Sequence, residues 1–200
     1  MTLAAPALPL PAKPSIVELP LGSALVRIYN PSSGLWDSPR FFGPIDEARF
    51  DHHPRPKAVH ATRSVWYAST SLRGAVAEAF GKIGLIDRFA GLRIVKAQCV
   101  GTLPLLDLIG VAVKKVKLTQ EIATTTDYAL CQSYGAAFYD EYTNIQGIRW
   151  RRKEIGSINV VLNDRANMAS LSPTLDEDIT HLDIWSRIAR AARECGLEIV

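Results

Sequence analysis

Four side chains in separate segments carry the groups from which a reactive site can be built. They are Arg27 in "ALVRIY" (24–29), Arg49 in "EARFDHH", Tyr67 in "SVWYAS" (64–69) and Glu78 in "LRGAVAEAF". Taken singly, each has an ordinary structural explanation: an edge-strand arginine, a solvated loop arginine, a core tyrosine, a solvated helix glutamate. Taken together they form a set. Arginine forks grip phosphate oxygens in pairs. An aromatic face stacks on a planar ring. A carboxylate stabilises the positive charge that grows as a glycosidic bond breaks, because that transition state is oxocarbenium-like. A phosphorylated ligand with a cationic leaving group suits such a set. NAD has all of these features: a pyrophosphate, a planar pyridinium and a ribosyl–nicotinamide bond.

The elements that must position these groups are readable from pattern. "ALVRIY" and "SVWYAS" are strands by their β-branched and aromatic content. Ser71 is placed to cap a helix. Leu72, Ala75, Val76, Ala79, Phe80 and Ile83 then fall on one apolar stripe of that helix, with Glu78 well off it. Consecutive elements tend to adjoin in space, so the four residues are expected near one another. The small residues Gly74 and Ala77 would leave room for a nucleotide beside the helix. Asn30 to Arg63 reads as a long loop. Its aromatic residues and arginines ("LWDSPRFFGPIDEARFDHH") favour a functional role.

Downstream, strands are expected at 91–100, 103–108, 146–150 and 157–164. A helix is expected at 124–142 with Thr or Asp at its cap, and a C-terminal helix at 176–196, where acids crowd the first turns. Mostly strands, with helices early, midway and last, suit an α+β domain rather than a doubly wound sheet. Residues 1–20, rich in Pro and Ala, are expected as a flexible or extended arm, and 21–200 as one domain that includes the C-terminal helix.

Composition narrows the classes. The chain has 200 residues, 48% of them hydrophobic and 22% charged, enough for a core without metals or disulfides. A net charge of +3 is too mild to imply direct nucleic-acid or membrane binding, although it would not repel an anionic ligand. Lys114, Lys115, Lys117 and the run Arg149 to Lys153 lack a nucleic-acid reading motif. Cys99, Cys131 and Cys195 are far apart and form no CxxC pair, which argues against a disulfide framework or zinc knuckle and favours the cytoplasm. The N-terminus lacks a basic n-region and does not read as a signal peptide. No apolar run reaches membrane-spanning length. GxxxxGK[ST], GxSxG and HExxH are absent. His52 and His53, with His60 nearby, are expected as exposed loop histidines rather than metal ligands.

In this order the segments resemble the RES-domain family, in which an arginine on the first strand precedes a "GRW/RF" loop, a strand ending in "YxA" and a helix bearing a glutamate. The matching stretches are "VRIY", "ARFD", "VWYAST" and "AVAEAF". "DYALCQSYGAAF" is similar to the family's central helix, "QGIRW" to its "GI" strand and "INVVLND" to its last core strand. The resemblance covers roughly 22–165. It implies a compact fold with a mixed, mostly antiparallel sheet like that of bacterial ADP-ribosyltransferase toxins. It further implies the toxin of a toxin–antitoxin pair that consumes NAD as substrate, without a metal: by hydrolysis, by phosphorolysis, or by transfer of ADP-ribose to a protein. The partner implied is a helical DNA-binding antitoxin that plugs the cleft. Carried over, Arg27 and Arg49 would hold the pyrophosphate or the nicotinamide ribose, Tyr67 would pack on the nicotinamide, and Glu78 would act on the ribose. The family's serine has its counterparts here in Ala129 or Arg152, neither of them serine, with Thr126 or Ser133 as stand-ins. That departure leaves open a weakened domain that binds the nucleotide without turning it over. The run "RWRRK" (149–153) reads either as a second-substrate contact or as a solvated basic rim, with Arg149, Arg151 and Lys153 on one strand face.

Overall fold

A computed structural model describes residues 4–152 and 155–200. The strands are β1 (Ile16–Glu18), β2 (Ala24–Tyr29), β3 (Phe42–Gly43), β4 (Ala58–Val59), β5 (Val65–Ser69), β6 (Leu85–Ile86), β7 (Arg93–Cys99), β8 (Pro104–Asp107), β9 (Gly147–Arg151), β10 (Ile158–Asn163), β11 (Leu171–Asp178) and β12 (Glu198–Ile199). The α-helices are α1 (Leu72–Phe80), α2 (Tyr128–Glu141) and α3 (Leu182–Glu194). Eight strands form one curled sheet in the order β1-β8-β9-β10-β5-β2-β7-β11, antiparallel throughout except for the parallel pair β8–β9. This is the mixed, mostly antiparallel α+β architecture expected.

One feature of the sheet makes room for a site. Pairing between β2 and β5 is confined to Val26 and Ser69. Beyond that pair the strands part, and a cavity lined by Val26, Arg27, Ile28, Tyr67 and Ala68 opens between them. Strand alternation does the rest: along β5, Val65 and Tyr67 face the core beneath α2, and Trp66 and Ala68 face the other way.

The helices cover the two halves of the sheet. α2 lays Cys131, Tyr134 and Phe138 on Val65, Ile148 and Val161. α1 and α3 pack Val76, Phe80 and Ile188 against Val26 and Ile94. Both early caps are built as the sequence indicates, with Ser71 accepting from the Gly74 amide at 3.0 Å and Asp127 from the Leu130 amide at 2.9 Å. Gly135 of α2 sits against the Phe50 backbone so closely that a Cβ there would lie 2.8 Å from the Phe50 carbonyl oxygen. The helix thereby pins the loop that carries Arg49.

Some expectations are corrected. Residues 176–178 belong to β11, paired with β7, and the last helix begins at Leu182. The acids that resemble a helix start instead serve the sheet edge: Asp176 accepts from Arg93 Nε at 2.9 Å and from the Tyr29 hydroxyl at 2.9 Å. α1 ends at Phe80, leaving Ile83 exposed beyond it and Ala79 on the exposed side. The extended segment before β2 is not a free arm. β1 pairs with β8, Leu10 and Leu19 are buried, and Ala4 and Pro11 carbonyls accept from the hydroxyls of Tyr134 and Tyr142.

Candidate active site

β2 brings Arg27 to the split in the sheet. Its guanidinium lies 5.2 Å from the Trp66 ring centroid, and Nη2 donates to the Ser38 carbonyl at 3.3 Å. Nη1 is buried with no hydrogen-bond partner among the described residues. Burial pushes the Arg27 pKa down to about 10, with the Arg40 charge adding to the effect and Tyr29 and Asp37 opposing it, so it stays cationic at neutral pH. A buried cation with one N–H group uncommitted is a receptor for an anionic ligand.

α1 supplies the carboxylate. Ala75, Glu78 and Ala79 recur at helical spacing and together line the cavity with Arg27 and Tyr67. The alanines at 75 and 79 are the small residues that leave room there. Gly74 and Ala77 are buried instead, with Gly74 packed on Ser69 and Ser157. Glu78 does face away from the apolar stripe, yet it is not solvated, for its side chain is only 21% exposed. Asn159 Nδ2, near the start of β10, donates to Glu78 Oε2 at 2.5 Å, and Arg152 Nη1 lies 4.0 Å from that oxygen. Burial raises the Glu78 pKa. The charges of Arg152 and Arg49 and the Asn159 hydrogen bond oppose that rise without cancelling it.

Tyr67 lines the same cavity, which measures about 200 Å³. Its hydroxyl donates to the Arg49 carbonyl at 2.8 Å, and burial holds its pKa well above the usual phenol value. Tyr67, Arg27 and Arg40 also line an adjoining cavity of about 660 Å³, rimmed by Leu35, Phe41, Phe42 and Val59. Arg49 is not in either. Its guanidinium lies on the other side of Glu78, 4.8 Å from the Tyr128 ring centroid, and donates to the Ile122 carbonyl at 3.0 Å. Glu78 thus stands between a cavity holding Arg27 and Tyr67 and a second holding Arg49 and Arg152.

Three residues of the site were not singled out as site residues from sequence, or only as a departure. Arg40 lines both the cavity of Arg27 and Tyr67 and the adjoining one; its Nη2 donates to Asp51 at 2.7 Å and its Nη1 to the Phe42 carbonyl. Asn159 orients Glu78. Arg152 occupies one of the two positions where the resemblance expects serine and lies beside Glu78. Of the others, Ala129 is exposed, Ser133 is occupied locally on the Leu130 carbonyl at 2.7 Å, and Thr126 lines the cavity of Arg49. Arg149 is bound on both nitrogens by Asp107 at 3.0 Å, Arg151 is exposed, and Lys153 lies outside the described residues.

Of the expected loop histidines, His52 and His53 are buried and His60 is half-buried. Asp51 explains why: His53 Nδ1 lies 2.5 Å from Asp51 Oδ1, and its Nε2 contacts the Arg63 carbonyl at 2.9 Å. His52 stacks on Tyr139 with ring centroids 4.3 Å apart. Burial alone would raise the Asp51 pKa, but the His53 hydrogen bond and the Arg40 charge outweigh it and hold the carboxylate well below its usual range. His53 therefore braces Arg40 through Asp51, and His52 packs on Tyr139 beside Asp164, rather than facing solvent. Among the described residues no group of three or more His, Cys, Asp or Glu side chains is arranged to hold a metal ion. No described helix is long and apolar enough to cross a membrane.

Comparison with known proteins bears on the whole arrangement. No curated protein matches the chain in sequence. In fold it is similar to a chain of the M. tuberculosis MbcT–MbcA toxin–antitoxin complex, whose crystal structure superposes with a TM-score of 0.59 at 17% identity, covering 86% of this chain and 92% of that one. At that identity the likeness speaks for the fold. The sequence model of the RES domain matches residues 24–184, which include every strand and helix that bears on the two cavities. The chain belongs to the RES domain family.

Proposed function

We propose that this chain is the toxin of a toxin–antitoxin pair and that it cleaves NAD at the nicotinamide–ribose bond. The observation that carries the reading is the position of Glu78, a carboxylate set between the cavity of Arg27 and Tyr67 and that of Arg49 and Arg152. The ADP portion occupies the larger cavity, with Arg27 and Arg40 on the pyrophosphate. The nicotinamide ribose reaches Glu78, and Tyr67 packs beside the pyridinium. As the C1′–N bond lengthens, its electron pair moves to the pyridinium nitrogen and nicotinamide leaves neutral. Positive charge grows on the ribose, and Glu78, largely buried, stabilises it where solvent screening is reduced. Asn159 keeps the carboxylate oriented. Glu78 must be ionised for this role, and the flanking arginines oppose the effect of burial on it.

The similar fold of a chain in the MbcT–MbcA complex supports a partner that covers this cleft. A helical DNA-binding antitoxin synthesised with the toxin in the cytoplasm fills that role. The test is to induce the chain in bacterial cells and follow the NAD pool. The pool collapses with the wild type and holds with Glu78→Gln at equal protein level. A pool that stays constant under wild-type induction, with no antitoxin present, overturns the reading.

Arg152 favours one alternative. A guanidinium beside Glu78, where the resemblance expects serine, suits a domain that binds the nucleotide without turning it over. Calorimetric NAD binding with no nicotinamide released would establish that alternative.

A further inference from the structure

The larger cavity beside Arg27 and Arg40 has an aromatic wall that packing does not explain. Phe41 and Phe42 both line it, and they remain 40% and 42% exposed. Burial of a phenyl ring is among the larger apolar gains open to a chain, yet neither ring is drawn into a core cluster. Phe42 has the Lys57 ammonium 5.1 Å from its ring centroid, and no ring or cation contact engages Phe41. No described Asp or Glu lines this cavity, so an anionic ligand meets no like charge on its walls.

The backbone beneath the two rings is fixed. Arg40 exchanges both backbone hydrogen bonds with Val65 of β5, at 2.9 and 3.0 Å. The Phe41 carbonyl accepts from the His60 amide at 2.8 Å, and Phe42 pairs with Val59 across the β3–β4 ribbon. The wall segment from Asn30 to Ser38 is equally constrained. Asn30 Oδ1 accepts from the Ser32 amide at 2.9 Å, and Ser38 Oγ from the Leu35 amide at 3.0 Å. Gly34 has a φ of 135°, and a Cβ there would lie 2.8 Å from Ser38 Cβ, so the turn requires glycine. Rings mounted on fixed backbone lose little entropy when a planar group stacks on them. The cavity volume of about 660 Å³ falls within the roughly 300–1,000 Å³ of small-ligand sites.

We propose that Phe41 and Phe42 are the base platform of this cavity and that they select a purine nucleotide over a pyrimidine nucleotide. The inference rests on the placement of the ADP portion given above and names the residues that choose its base. Arg27 and Arg40 hold the pyrophosphate whatever base follows it, so they carry no base preference. The aromatic wall does: a purine lays two fused rings on it, a pyrimidine one. Stacking of this kind requires no hydrogen bond to the base edge.

The test is calorimetric titration of ADP and of UDP, which share the pyrophosphate and differ in the base. It uses the purified wild type, Phe41→Ala, Phe42→Ala and the double variant. Both side chains are exposed and outside the core clusters, so the variants fold, and their melting temperatures check this. The wild type is expected to bind ADP about tenfold or more tightly than UDP. Each single variant weakens ADP about fivefold or more, and the double variant binds the two nucleotides alike. In the same variants KM for NAD rises by a larger factor than kcat falls. Equal affinity of the wild type for ADP and UDP, no saturable binding of either, or an ADP-to-UDP ratio unchanged in the double variant overturns the proposal. ADP preferred as expected, with no nicotinamide released from NAD, overturns the cleavage reading instead and leaves the base platform standing.

Discussion

The buried Asn159 amide, near the start of β10, donates to Glu78 Oε2 at 2.5 Å, and its own Oδ1 has no partner among the described residues. A buried amide with half its capacity unused is costly for stability, so its place beside the carboxylate is explained by orientation. Asn159→Ala is expected to lower kcat for NAD cleavage more than it changes KM. It also removes one of the interactions that oppose the raised Glu78 pKa, so the acidic limb of the pH–rate profile moves to higher pH. A uniform loss of activity with an unmoved pH profile would leave Asn159 a merely structural residue.

Glu78 sets the pH dependence in two opposite ways. Its folded pKa lies above the ordinary glutamate value because of burial. Cleavage that needs the ionised form falls as pH drops through that raised pKa. Stability runs the other way: the contribution of this group is present below the unfolded pKa and is lost as pH rises through the folded one. Glu78→Gln should therefore abolish the acidic limb and lower the rate roughly 10²–10³-fold. The melting temperature of the variant relative to the wild type should be higher at neutral pH than in acid.

Asp51 is the opposite case. Its depressed pKa gives a contribution to stability that is present above the ordinary aspartate value and lost as pH falls through the folded one. Asp51→Ala strips the partner from Arg40 and His53 together. A loss of about 1–3 kcal/mol is expected at neutral pH, since the buried His53 and the half-buried Arg40 lose their shared carboxylate acceptor. Denaturant unfolding at neutral and acid pH checks both the size and the expected narrowing in acid.

Gly135→Ala tests how α2 holds the Arg49 loop. The added methyl meets the Phe50 carbonyl oxygen at 2.8 Å and its Cα at 3.0 Å, and backbone does not yield cheaply. Overpacking of this kind costs about 1–3 kcal/mol. Displacement of Phe50 carries Arg49 with it, so the rate of NAD cleavage should fall along with the melting temperature. An unchanged melting temperature would contradict the packing described.

Much of the site was legible because it rides on regular elements. The strand character of "ALVRIY" and "SVWYAS" and the 3.6 period of α1 fix where Arg27, Tyr67 and Glu78 point. What pattern does not carry is which loop folds over what. "DHHP" reads as solvated until Asp51 is seen beneath it, accepting from Arg40 and paired with His53. Arg40, in "DSPRFFG", has no periodicity to mark it. Asn159 did leave a signal, as an amide among the apolar residues of "INVVLN", but strand alternation alone cannot say that its neighbour on the covering helix is a glutamate. The acids of "LDED" satisfy a helix-start pattern and an edge-strand pairing equally well; Arg93 on the neighbouring strand decides for the strand.

The central claim is that the cleft around Glu78 breaks the nicotinamide–ribose bond. Purified chain, free of any partner, is incubated with NAD in phosphate buffer and in a buffer without phosphate, and the products are identified by mass. The account predicts one nicotinamide released per NAD consumed, a ribose product whose mass tells hydrolysis from phosphorolysis, and a rate lower by two to three orders of magnitude for Glu78→Gln. NAD recovered intact from the wild-type reaction in both buffers, or cleaved equally by Glu78→Gln, would contradict it.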